Sequence, residues 1–164
     1  MKKLLLVFAF TLLGVTSSFS QGSWNFGVNG GIPVGDVEEF TTFHLGTDIA
    51  YRFSFADMFE VGPMVGYSHY FGDEVTVAGA TFDYDDIQFL PVAASARLNF
   101  VELFYLGADL GYAVGINDGN DGGFYYRPLV GVDLGLLGIN VSYSGVSMDG
   151  GSVASVNLGV DFGI

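Results

Sequence analysis

Few side chains in this 164-residue sequence could attack a carbonyl or move a proton. It holds two histidines and no cysteine, which excludes thiolate nucleophiles, thiolate metal sites and disulfides. His69 directly follows Ser68. A serine nucleophile needs its base within hydrogen-bond reach and a third group to orient that base. In an extended segment neighbouring side chains point to opposite faces, so Ser68 and His69 are separated. No serine shares a face with His69, which stands between Tyr67 and Phe71, and catalysis there is not expected. His44 falls on the opposite kind of face, among small residues.

Carboxylates are the abundant group: 18 Asp and Glu stand against 5 Lys and Arg, for a formal net charge of −13. Many lie in short runs between apolar segments: Asp36, Glu38 and Glu39; Asp73 and Glu74; Asp83, Asp85 and Asp86; Asp118 and Asp121; Asp149. Carboxylate oxygens suit hard divalent cations, and residues 117–122 faintly resemble a calcium loop, but the distant bidentate Glu is missing. A solvated acidic rim is the plain reading, and a weak divalent-cation or surface contact is the sharper one. The acidity argues against nucleic acid, which needs a basic footprint. Yet only 14% of residues are charged and half are apolar, whereas a soluble surface is about 25–35% charged.

The elements that carry these groups begin with an address. Lys2 and Lys3 precede an apolar run from Leu4 to Val15, with small Ser18 and Ser20 before a cleavage point. Residues 1–20 are read as a signal peptide, because the run is too short to span a bilayer as a helix, which takes about 20 residues. Residues 21–164 then form one domain.

That domain alternates with period two, the mark of strands with unlike faces. Phe43, Leu45, Thr47, Ile49, Tyr51 and Phe53 alternate with His44, Gly46, Asp48, Ala50, Arg52 and Ser54. Residues 104–116 repeat the pattern, and residues 24–32, 59–71, 90–100, 124–135, 139–144 and 155–164 follow it with varying fidelity. The connections, 33–42, 55–58, 72–86, 101–103, 117–123, 137–138 and 147–152, run long and short in turn. Eight such segments predict an up-and-down antiparallel barrel with its long loops at one end, narrow enough for side chains to fill.

The contents of the faces decide between water and lipid as the outer solvent. The apolar face carries no charge in any segment, and the other face is rich in glycine. Arg52, Arg97 and Arg127 are the only basic residues beyond Lys2 and Lys3, and all fall on the small-residue face with Asp48, Glu60, Asp109, Asp133 and Asp161. Isolated buried charges cost several kcal/mol. A paired network plugging the lumen is therefore expected, with a charged ion path as the alternative. Aromatics form two bands, one with Trp24, Phe26, Phe53, Phe59, Phe100, Phe104 and Phe162, the other with Phe43, Tyr67, Phe71, Tyr112, Phe124 and Tyr126. Two bands fit the interfacial girdles of a membrane barrel.

On these residues the chain resembles the small outer-membrane β-barrel proteins of Gram-negative bacteria, the porin-family or OmpA/OmpX-like barrels. The resemblance implies an all-β, eight-stranded antiparallel up-and-down transmembrane β-barrel, exported to the outer membrane. It further implies a monomer without cofactor, in contact with outer-membrane lipids and lipopolysaccharide. In that family the barrel-assembly machinery reads a last strand of alternating apolar residues ending in an aromatic. Val156, Leu158, Val160 and Phe162 match the alternation, with Ile164 at the final position. OmpA adds a periplasmic peptidoglycan-binding domain, which is not expected here. Similar lipid A deacylases use a His-x-Ser spacing, from which Ser68-His69 departs. The expected role is structural or surface-interacting, the display of acidic loops on a rigid, plugged barrel. A narrow channel for ions or small solutes is the alternative, a lipid-modifying enzyme the third reading and a secreted lipocalin-like binder the fourth.

Overall fold

The computed structural model describes residues 22–37, 41–55, 58–77, 80–83, 85–101 and 103–164. The expected signal peptide, residues 1–20, lies outside them. Alternation of apolar and small residues produces long strands: β1 (Gly22–Val34), β2 (Thr41–Phe55), β3 (Phe59–Gly72), β6 (Ile87–Val101), β7 (Phe104–Gly115), β8 (Gly123–Asp133), β9 (Leu137–Met148) and β10 (Gly151–Gly163). A short hairpin, β4 (Glu74–Val77) and β5 (Ala80–Asp83), stands between β3 and β6. The eight long strands close into one antiparallel barrel in the order β1-β10-β9-β8-β7-β6-β3-β2. Closure is made by β1 on β10, from Asn25 opposite Gly163 to Val34 opposite Ala154. Trp24 and Ile164 finish the seam by exchanging backbone hydrogen bonds of 3.0 and 2.9 Å.

Three prolines interrupt the ladders. The β2–β3, β3–β6 and β8–β9 registers each skip a step, at Pro63, Pro91 and Pro128 respectively. Proline has no N–H to donate, so each opens the ladder toward one neighbour while staying paired with the other.

Three connections differ from the sequence expectation. The final long loop, expected over 147–152, is a tight turn at Asp149 and Gly150, with β9 and β10 paired up to Met148 and Gly151. Gly150 takes a φ of 105°, open to glycine, so the strands can run almost to the tip. The short turn expected at 137–138 instead occupies 134–136, with Gly135 at φ 97°. The alternation of long and short loops therefore ends before the last hairpin. The stretch 72–86, expected as a plain loop, contains the β4–β5 hairpin.

The outer surface of the barrel is apolar along its height. Val28, Leu45, Val65, Val92, Leu106, Leu110, Val130, Val141 and Leu158 are all exposed. Inside, the end nearer the longer loops is filled by Met64, Tyr70, Phe89, Tyr125, Val146 and Val153, which form a buried apolar cluster. Charges lie below that cluster. The small-residue reading of the inner face missed this upper layer, because Tyr70 and Phe89 lie beside apolar neighbours and blur the alternation.

Candidate functional site

Buried charge is concentrated in the lumen. Arg127 on β8 reaches across the barrel, its Nη1 donating to Asp48 Oδ1 on β2 at 2.6 Å. Its Nε donates to Asp109 Oδ2 on the adjacent β7, also at 2.6 Å. Arg97 on β6 stands 2.9 Å from Asp161 on β10 and lies over the Tyr105 ring, 4.5 Å from its centroid. Asp161 Oδ2 also accepts from the Tyr105 hydroxyl at 2.9 Å and from Asn140 Nδ2 at 2.8 Å. These carboxylates and guanidiniums are buried. Taking such ions out of water costs several kcal/mol each, which only close pairing offsets.

The other lumen residues singled out by sequence sit differently. Arg52 is buried, and its Nε donates to Ser95 Oγ at 3.0 Å rather than to a carboxylate. Glu60 lies opposite Arg97 in the β3–β6 register but is only half-buried, accepting from Asn99 Nδ2 at 3.3 Å. Asp133 does not join the network. It ends β8, is exposed, and its Oδ1 accepts from the Gly135 backbone N–H at 2.7 Å, so its carboxylate shapes the turn. Alternation placed it correctly on the inner side but could not show that the strand ends there.

Above the ion pairs, His44 is buried with Nδ1 2.6 Å from Asn157 Oδ1. A cavity of about 10 Å³ lies between His44, Asp48, Met64, Ser68, Tyr125 and Arg127. A single water needs roughly 10–15 Å³.

The loop acids divide into several groups. Asp36 Oδ2 accepts from both the N–H and the hydroxyl of Ser152, at 3.1 and 3.0 Å, tying the first loop to β10. Glu38 and Glu39 lie outside the described residues, as do the side chains of Glu74 and Asp83. Asp73 begins the segment that carries the hairpin. Asp85, Asp118, Asp121 and Asp149 line a cavity of about 520 Å³ at the loop end. Among the described residues no group of three or more His, Cys, Asp or Glu is placed to hold a metal ion.

Sequence reasoning missed a polar chain on the outer face. Asp86, at the return of the third barrel strand's long connection, accepts from Gly72 N–H at 2.9 Å, and its other oxygen lies 2.9 Å from His69 Nε2. His69 Nδ1 is 2.9 Å from the Tyr67 hydroxyl, which reaches Gln88 Oε1 at 3.2 Å. The Gly72 N–H, with His69 beside it, holds the Asp86 carboxyl below the usual carboxylate value. Asn117 donates to the Asp86 carbonyl, and Asn120 to that of Gln88, each at 2.9 Å. The 17-residue separation of His69 and Asp86 hides this contact from any local motif.

No protein-family model matches the sequence, and no curated protein does. Solved structures share the fold. The outer membrane protein Ail of Yersinia pestis, determined in a phospholipid bilayer nanodisc, has a TM-score of 0.57 at 16% identity, covering 88% of this chain and 100% of that one. Neisserial surface protein A gives 0.50 at 15% identity over 86% of this chain and 96% of that one. A de novo designed transmembrane β-barrel gives 0.54 at 10% identity over 87% and 95%. The chain thus has the closed eight-stranded architecture of small outer-membrane barrels. That a designed protein shares it shows how little the fold alone says about activity.

Proposed function

We propose that the chain is an integral outer-membrane barrel with a sealed lumen, whose role is structural or surface-interacting through the loops it displays. The observation that carries this reading is the cross-barrel bridge from Arg127 to Asp48 and Asp109, packed beneath the Tyr70, Phe89 and Tyr125 layer. Cross-wall pairing closes the bore where a conducting path would need water. Support for the membrane comes from the apolar exterior, because soluble monomers rarely expose a contiguous apolar patch beyond a few hundred Å². The acidic residues Asp85, Asp118, Asp121 and Asp149 give the loop end its chemical character. The same reading makes outer-leaflet lipid and lipopolysaccharide the barrel's neighbours. It also makes the outward row Val156, Leu158, Val160 and Phe162 the strand presented to the assembly machinery.

Planar-bilayer recording of the refolded chain tests the sealed lumen. Steady conductance in the unmodified protein, altered by Arg97→Ala, would replace this reading with that of a narrow pore. A silent bilayer, with openings only after Arg127→Ala, supports the plug. Flotation with lipid vesicles tests the membrane reading separately.

A further inference from the structure

We infer that Tyr67, His69 and Asp86 form a pH-sensitive clasp on the outside of the barrel, closed while the His69 ring carries both of its protons and opened as the pH rises. The clasp governs how the displayed loop end is held, and so rests on the surface-interaction reading above. Donor and acceptor roles fix the charge of the ring. The Tyr67 hydroxyl has one proton, which it donates to Gln88 Oε1 at 3.2 Å. His69 Nδ1 lies 2.9 Å from the same hydroxyl oxygen and therefore donates to it. Asp86 Oδ2, 2.9 Å from Nε2, belongs to a carboxylate that can only accept, so Nε2 donates as well. Both ring nitrogens then carry hydrogen, and the ring is an imidazolium paired with Asp86.

Each element beside the ring contributes differently. β2 faces it with Leu45 and β6 with Gln88, each opposite His69 in its ladder. On β3 itself Phe71 packs against it, with ring centroids 4.2 Å apart. Asp86 and Tyr67 are the titratable groups bonded to the ring, while His44 is buried on the lumen side of β2. Asp73 begins the connection beyond β3, and Asp118 and Asp121 stand on the loop between β7 and β8. His69 is the one basic side chain among the described residues that lies on the outer face, since Arg52, Arg97, Arg127 and His44 are buried within the lumen. Imidazole is the side chain that changes charge between about pH 5 and pH 8.

Two connections meet at Asp86. Its Oδ1 accepts from the Gly72 N–H at 2.9 Å, closing the base of the 72–86 connection. Its backbone carbonyl accepts from Asn117 Nδ2 at 2.9 Å. Two residues on, the Gln88 N–H donates to Asn117 Oδ1 at 3.0 Å, and the Gln88 carbonyl accepts from Asn120 Nδ2 at 2.9 Å. Asp85, Asp86, Asn117 and Asn120 line the loop-end cavity of about 520 Å³, so the clasp holds part of its rim. Losing one ring proton removes one of the two donations. A neutral ring with its hydrogen on Nε2 turns a lone pair toward the Tyr67 oxygen. With its hydrogen on Nδ1 it turns a lone pair toward the Asp86 carboxylate. Either form also loses the attraction between the charges, and the corner at Asp86 loosens. Protonating Asp86 opens the same corner from the acid side, so the clasp is complete only between the two titrations.

The experiment uses the full chain refolded into phosphatidylcholine nanodiscs, with heat-modified gel migration showing each variant folded. Nitrogen NMR of the His69 ring, assigned by comparison with His69→Gln, should show two protonated nitrogens at about pH 5 and one at about pH 8. The Gly72 N–H reports on the clasp through its bond to Asp86. Its hydrogen-exchange protection should fall about two- to fivefold over the same range, the scale of one exposed ion pair. In His69→Gln the protection should be low and the step absent. Gln88→Met frees the Tyr67 proton for Nδ1, so a neutral ring then fits between its partners and the protection should persist at the higher pH. A ring with one protonated nitrogen at the lower pH, Gly72 protection equal at both, or an equal step in His69→Gln overturns the clasp. Flotation with vesicles separates the two failures: a chain that does not float overturns the membrane reading, whereas one that floats with an unresponsive Gly72 overturns the clasp alone.

Discussion

Arg127 Nη1 meets Asp48 Oδ1 at 2.6 Å across the lumen, joining strands that are not neighbours in the sheet. Because Arg127 also holds Asp109, one guanidinium is shared by two buried carboxylates. Arg127→Ala leaves both uncompensated and should cost about 3–5 kcal/mol. The urea midpoint of the barrel refolded in micelles measures it. Combining Arg127→Met with Asp109→Asn removes one buried charge of each sign and should recover much of the loss. A double variant less stable than Arg127→Ala would show that the bridge is not what limits stability.

The connection between Gly72 and Asp86 should loosen in acid. Asp86 accepts from Gly72 N–H, which with His69 holds its carboxyl below the ordinary carboxylate value of 3.8. A depressed folded pKa contributes stability that is complete above 3.8 and lost as pH falls through the lower folded value. Asp86 is exposed, so the effect is local and modest. Acid-active protease should cleave between Gly72 and Asp86 faster at about pH 2 than at about pH 5. In Asp86→Asn that pH step should vanish, with cleavage fast at both values.

The barrel was legible in the sequence because lipid outside and a narrow lumen inside impose opposite demands on alternate residues. Leu45 and Asp48, Leu106 and Asp109, fall on their faces by parity alone. Partners across the lumen are set by barrel tilt and register, so parity put Arg127 and Asp48 inside but could not pair them. Asp133 failed because parity does not say where a strand stops. The chain from Tyr67 through His69 to Asp86 was hidden for a different reason: the carboxylate arrives from the far end of a connection, 17 residues away. The tight Asp149-Gly150 turn was hidden by polar Ser147 and Ser152, which read as loop yet pair with each other across β9 and β10.

Glycine on the inner face answers to close backbone approach in at least one place. A Cβ at Gly111 would meet the Val92 carbonyl oxygen and fall within 2.8 Å of Ala93 Cβ. Backbone on the adjacent β6 cannot step aside as a flexible side chain can. Gly111→Ala should therefore destabilise by about 1–3 kcal/mol through overpacking. Gly119→Ala is a poor control because its φ is 79°. Ala94→Ser, on the exposed face of the same β6–β7 pairing, should be near neutral by the same urea titration.

The sharpest test of the outer solvent is depth. Leu158 is 62% exposed in the middle of β10, opposite Gly30 and Val141, while Leu136 is 76% exposed in the turn beyond β8. In water both positions would accept arginine with little change, as exposed surface sites usually do. In a bilayer they separate, because arginine costs about 2–4 kcal/mol at the midplane and about 0–1 kcal/mol near an interface. Leu158→Arg should therefore lower the unfolding free energy of the vesicle-inserted barrel by several kcal/mol, and Leu136→Arg should not. The difference should shrink in micelles, which deform around a guanidinium. Equal small losses at the two positions in vesicles would mean that the exterior is not facing hydrocarbon.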